Sequence, residues 1–173
     1  MSFSSELPEL MRPLFAVCVS LLIALDQLSK AYIRANFSLT EQKQIIPGVL
    51  EIFHTQNEGI AFGMLQGLGI WLAPVALIVA IAAGVSYHRQ SPPTRLFSSA
   101  LILLTAGAIG NFIDRIFLGG KVTDFINIYV IHVFNIADAC ITVGAILLIA
   151  HWLLEGKSER QAPPAKTPPG PTS

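Results

Sequence analysis

Charge is scarce in this chain, and what there is cancels. Eleven Lys and Arg stand against eleven Asp and Glu in 173 residues, and the sequence pI is about 6.9. No basic stripe is available to attract a nucleic acid, so no such partner is expected. Cysteine is nearly absent too. Cys18 and Cys140 both fall in apolar runs, which excludes a disulfide framework and offers no metal-binding spacing. His54, His88, His132 and His151 are scattered and form no HExxH-like pair, so neither a metal nor another cofactor is expected. Gly-x-Ser-x-Gly is missing, and no serine stands out as a nucleophile.

What the chain has in abundance is apolar surface. Hydrophobic residues make up 53% of it and mean hydropathy is +0.61, more than a soluble domain of this size could hide. A helix needs about 20 mostly apolar residues to cross a bilayer. Four stretches qualify, at about 13–33, 69–88, 96–117 and 135–154. The first resembles a signal peptide in having Arg12 before an apolar run. No small-x-small cleavage site follows closely, so it is expected to be retained. Residues 1–155 therefore read as one four-span membrane domain. Residues 156–173, rich in Pro, Lys, Glu and Ser, read as a disordered tail.

Four spans place both termini on one side, with Arg12, Arg89, Arg95, Lys157, Arg160 and Lys166. The other side receives Lys30, Arg34, Lys43, Arg115 and Lys121. Setting aside Lys30 and Arg115, which have acids nearby, leaves six cations against three, and the positive-inside bias makes both termini cytoplasmic. Two outer loops follow, at about 36–68 and 118–133. In the first, Pro47-Gly48 marks a turn and Val49 to His54 reads as a strand, so a small sheet on the outer surface is expected. The second is apolar for a loop, with Phe125, Ile126, Ile128, Tyr129, Val130 and Ile131. It is expected in the interface or folded over a cavity as a loop or short helix.

The acids are the informative residues. Asp26, Asp114, Asp124 and Asp138 lie in or beside apolar spans, where ionisable groups are costly and mark functional sites. The topology brings them, with Lys30, Asn57, Asn111, Arg115 and Asn135, to the outer face. Asp26 and Lys30 are at i and i+4 on one helix face; they make a functional pair, a tether, or a helix-end pair with Lys30 snorkelling. Gly107, Asn111 and Asp114 form one stripe of small and polar residues, which with Arg115 serves as interhelical glue, as a ligand site, or as both. Asn135 suits a helix N-cap, and Asp138 three residues on suits the positive end of the dipole, so a capping role competes with a chemical one. Asp124, flanked by Val122, Phe125 and Ile126, has no such alternative. If the second loop folds back, Asp124 and Asp138 could share a proton, supplying a base to activate water and an acid for the leaving group.

Five blocks in order resemble the lipoprotein signal peptidases (signal peptidase II): 26–30 (DQLSK), 57–63 (NEGIAFG), 107–115 (GAIGNFIDR), 122–125 (VTDF) and 134–138 (FNIAD). The resemblance covers about Asp26 to Leu154. It implies a four-helix membrane fold with an extracytoplasmic sheet cradle, and an aspartic endopeptidase with an Asp124–Asp138 dyad and no cofactor. Its substrates would be prolipoproteins carrying diacylglycerol on a cysteine, cleaved just before that cysteine, by a monomer in the bacterial cytoplasmic (inner) membrane. Asn57, Gly59, Asn111, Arg115 and Asn135 would position substrate or support the site, with Asp26, Lys30 and Asp114 as structural support. Ala106 and Ala139 depart from the residues common at those places. Two other readings compete: a small proton- or ion-coupled transporter, and a non-catalytic assembly protein.

Overall fold

A computed structural model describes residues 3–59, 67–89 and 94–161, with side chains from 13 to 155 within those ranges. The helices are α1 (Phe3–Asn36), α2 (Gly69–Arg89), α3 (Arg95–Phe117) and α4 (Ile136–Gln161); the strands are β1 (Gln42–Ile46), β2 (Leu50–Asn57) and β3 (Val122–Asn127). Each helix contains a span long and apolar enough to cross a membrane: Pro13–Asn36, Gly69–Arg89, Arg95–Phe117 and Ile136–Glu155. The chain is thus a multi-pass membrane protein with a small open sheet, as the hydropathy pattern requires.

Helix α3 is the central post. Half of its most apolar window is buried, against about a fifth for each of the other three. It packs on α1, α2 and α4. In lipid, helices gain from close backbone approach, and small residues permit it. A Cβ on Gly107 would come within 2.5 Å of the Ala137 carbonyl oxygen, and one on Gly144 within 2.9 Å of Leu104. Glycine at both positions lets α3 and α4 close on each other. At the end that carries the sheet, Gly69 touches the Gly120 carbonyl so tightly that any side chain would collide with it. That contact fixes the start of α2 against the turn leaving α3.

The sheet is antiparallel in the order β1-β2-β3. The expected strand from Val49 to His54 runs to Asn57 as β2. The second outer loop differs more: residues 122–127, expected in an interfacial loop or helix, form the third strand. Val122, Thr123, Asp124 and Phe125 are all buried, because β3 is covered on both faces. β-branched and aromatic residues suit such a place. Only residues 128–133 remain as an apolar turn, with Val130 83% exposed. α4 also runs past the expected boundary at 156, reaching Gln161. The rest of the expected tail lies outside the described residues, as do residues 60–63 of the block 57–63.

Candidate active site

The site begins with one face of α1. Asp26, Lys30 and Arg34 follow at four-residue steps, so they line up toward α3 and β3. Lys30 is completely buried and does not snorkel. Its Nζ lies 2.9 Å from Asp26 Oδ2, donates to Asn111 Oδ1 at 3.0 Å, and is 3.6 Å from Asp114 Oδ2. A buried ammonium is tolerable only with such a shell of oxygens. The other oxygen of Asp26 accepts from the backbone N–H of Ala137 at 2.9 Å. That N–H belongs to the first turn of α4, where backbone donors have no partner within the helix. Gln27 Nε2 donates to Gly110 O at 3.0 Å. A Cβ on Gly110 would lie 2.6 Å from Asp26 Oδ2, so the acid can reach α4 only past a glycine.

Asn135 then organises the start of α4. Its Oδ1 accepts from Asp138 N at 2.9 Å, and Asp138 Oδ2 accepts from Asn135 N at 3.2 Å. This reciprocal capping box makes the expected N-cap real and fixes the Asp138 carboxylate. Asp138 Oδ1 also accepts from Asn111 Nδ2 at 2.7 Å. The remaining hydrogens of Asn135 go to Asp124 Oδ1 at 2.7 Å and Asn111 Oδ1 at 3.2 Å. Asn57 Nδ2 donates to Asp124 Oδ2 at 3.1 Å. One asparagine therefore bridges the two acids, touching Asp124 with its side chain and Asp138 with its main chain.

Asp124 is completely buried in β3. Burial, and then the negative charge of Asp138, push its carboxyl up to about 7, against the opposing pull of the Asn57 and Asn135 amides and Lys30. Such a group holds its proton into the neutral range. Arg115 closes the site from α3. Its guanidinium donates to Gly59 O at 3.1 Å and to Asn111 O at 3.4 Å, while Gly59 N donates to Asn57 Oδ1 at 2.9 Å. The end of β2 is thereby tied to α3 beside the acids. Asp114 Oδ2 accepts from Thr123 N at 2.9 Å, which pins the residue preceding Asp124.

All ten candidate residues thus meet at one end of the bundle, the end that carries the sheet. Sequence reasoning missed Gln27, Thr123 and Arg34. It counted Arg34 as a free charge, although its place four residues beyond Lys30 was a legible signal. Among the described residues, no three His, Cys, Asp or Glu side chains converge as metal ligands would. An apolar groove of about 400 Å³, lined by Ile70, Trp71, Ala73, Pro74, Leu77, Phe112 and Ile116, lies between α2 and α3, away from the acids.

Comparisons with known proteins place the chain in a family. The family model described as signal peptidase (SPase) II matches residues 18–154. A lipoprotein signal peptidase of Syntrophomonas wolfei is 40% identical over 141 residues, covering 82% of this chain and 93% of that protein. One from Streptococcus pyogenes serotype M5 is 40% identical over 139 residues, covering 79% and 90%. A bacterial membrane enzyme solved in meso at 2.3 Å superposes with a TM-score of 0.80 at 30% identity, over 87% of this chain and 94% of that one. A second, at 1.9 Å, gives 0.71 at 34% identity, over 82% and 93%. With the family model spanning most of the chain and the relatives matched over nearly their whole length, this protein belongs to the signal peptidase II family.

Proposed function

We propose that Asp124 and Asp138 are the catalytic dyad of this aspartic endopeptidase, which removes the signal peptide from prolipoproteins. The observation that carries the assignment is the pair of buried carboxyls bridged by Asn135. Charge balance supports one shared proton. Asp26, Asp114, Asp124 and Asp138 face the cations Lys30, Arg34 and Arg115, so one negative charge is left over. A single proton on the dyad removes it. The donors Asn111 Nδ2 and Asn135 N and the first turn of α4 favour charge on Asp138, which leaves the proton on Asp124. Asp138, at the positive end of α4, starts as the ionised base.

Asp138 takes a proton from water as the water oxygen attacks the scissile carbonyl, and Asp124 gives its proton to the carbonyl oxygen. The resulting gem-diol collapses when Asp138 protonates the departing amine and Asp124 recovers a proton from a diol hydroxyl. The acids end as they began.

The substrate is a precursor with diacylglycerol on the cysteine that follows the scissile bond. The acids lie at one end of the spans, so a lipidated peptide can present that bond at the interface while its acyl chains stay in lipid. The site residues come from a single chain, which supports action as a monomer. Pairing of Arg34 with Asp114 leaves only Lys43 and Lys121 as outer-side cations outside the buried network, against six on the other side. This sharpens the bias toward cytoplasmic termini in the cytoplasmic membrane and a site at the outer face. The transporter reading finds no support, because the charged groups gather at one end instead of crossing the bilayer.

The test is cleavage of a diacylglyceryl-modified prolipoprotein by detergent-purified protein, comparing wild type, Asp124→Asn and Asp138→Asn. Both variants are expected to lose cleavage while keeping cooperative melts, and wild-type kcat/KM to fall as pH rises above about 7. Cleavage surviving in both variants would overturn the dyad.

A further inference from the structure

We propose that Arg34 is a positioning residue for Asp124, acting through Thr123 and Asp114. The inference rests on the assignment of Asp124 to the dyad. Thr123 is completely buried and immediately precedes Asp124. Its N–H donates to Asp114 Oδ2 at 2.9 Å, and its hydroxyl accepts from Arg34 NH1 at 3.0 Å. The same guanidinium nitrogen lies 3.6 Å from Asp114 Oδ1. Three elements, α1, α3 and β3, therefore close on one residue, and the next side chain along is the acid.

The sheet leaves one edge of β3 to other groups, Phe134 near its end and the contacts of Thr123 near its start. β3 is an edge strand, and its register with β2 is irregular between Ile52 and Thr55, next to the Thr55–Asp124 pairing. A one-residue slip would turn Asp124 to the opposite face. The latch on Thr123 removes that freedom. Charge acts in the same direction: without Arg34, Asp114 would keep, among the described residues, only Lys30 as an ion-pair partner within 4 Å, a cation it shares with Asp26.

A merely structural ion pair would neutralise Asp114 without needing the Thr123 hydroxyl. The experiment uses that difference. Full-length Arg34→Gln, Thr123→Val, Thr123→Ser and the Arg34→Gln/Thr123→Val double variant are assayed with the lipidated precursor, and each is melted. Misplacing a catalytic group by a fraction of an ångström costs rate more than binding, so kcat is expected to fall about tenfold in Arg34→Gln and Thr123→Val, with KM within about twofold. Thr123→Ser, which keeps the hydroxyl, should restore kcat. The double variant should be no slower than either single change, since both break one latch.

Full activity in Arg34→Gln or in Thr123→Val would overturn the proposal. So would losses that multiply in the double variant, or losses that track the melting temperature alone. If Arg34→Gln does not fold, the Val and Ser variants at Thr123 decide. Failure here with Asp124→Asn still inactive would leave the dyad standing, whereas cleavage by Asp124→Asn would remove the dyad itself.

Discussion

Replacing Asp124 by Asn should make the protein more stable at pH 8 and less stable at pH 4.5, while abolishing cleavage at both. The folded carboxyl titrates near 7, against an ordinary 3.8. Its folded pKa is raised, so the folded protein binds the proton more tightly than the unfolded chain does. Between about pH 4 and 7 the unfolded chain ionises while the folded one stays protonated, and stability falls by about 1.4 kcal/mol per pH unit. Above about 7 both forms are ionised and the loss levels off, at up to about 4 kcal/mol. Asn carries no such slope. It has its own cost, because its amide brings hydrogens toward a donor. Asp124 accepts from both Asn57 Nδ2 and Asn135 Nδ2, and an amide has only one oxygen to offer. The mismatch costs about 1–3 kcal/mol at any pH. The variant should therefore trail wild type at pH 4.5 and lead it at pH 8. With about 2–4 °C per kcal/mol for a chain of this length, the difference in Tm moves by about 10 °C in favour of the variant. Melts of both proteins in one detergent across that range, read by tryptophan fluorescence, are the assay. A difference in Tm that stays constant with pH would refute the claim that Asp124 holds the proton.

Two further outcomes follow from the packing. Lys30→Met leaves Asp26 and Asp114 buried without their shared cation and should destabilise the fold by about 3–5 kcal/mol, seen as a lower Tm, with Lys30→Met/Asp26→Asn partly restored. Gly107→Ala pushes α4 off α3 at Ala137, so it should lower Tm by a few degrees, about 1–3 kcal/mol, and slow cleavage by shifting Asn111 from Asp138.

The sequence by itself determined every property that depends on local spacing. Hydropathy over about 20 residues located four spans, and the structure moves their bounds by only a few residues except at the N-terminal end of α1 and the C-terminal end of α4. The four-residue step from Asp26 to Lys30 marked a shared face, and Asn135 with Asp138 three residues on marked a cap, because helix geometry makes such neighbours unavoidable. The five blocks carried the family resemblance for the same reason: each is a short run that keeps its residue types in order.

Only the tertiary structure decided how those pieces close on each other. Lys30 meets Asn111 across 81 residues, and Asp26 reaches the Ala137 N–H across 111. No periodicity encodes such pairings. That residues 122–127 form a strand depended on β2 offering an edge and on helices covering the other face, so an apolar loop was the natural reading of the segment alone. Arg34 looked like one more interfacial cation until β3 was folded against it. Buried charge is settled by its surroundings: a carboxyl's chemistry depends on which oxygens, amides and cations stand within about 3 Å, and folding alone brings those neighbours together.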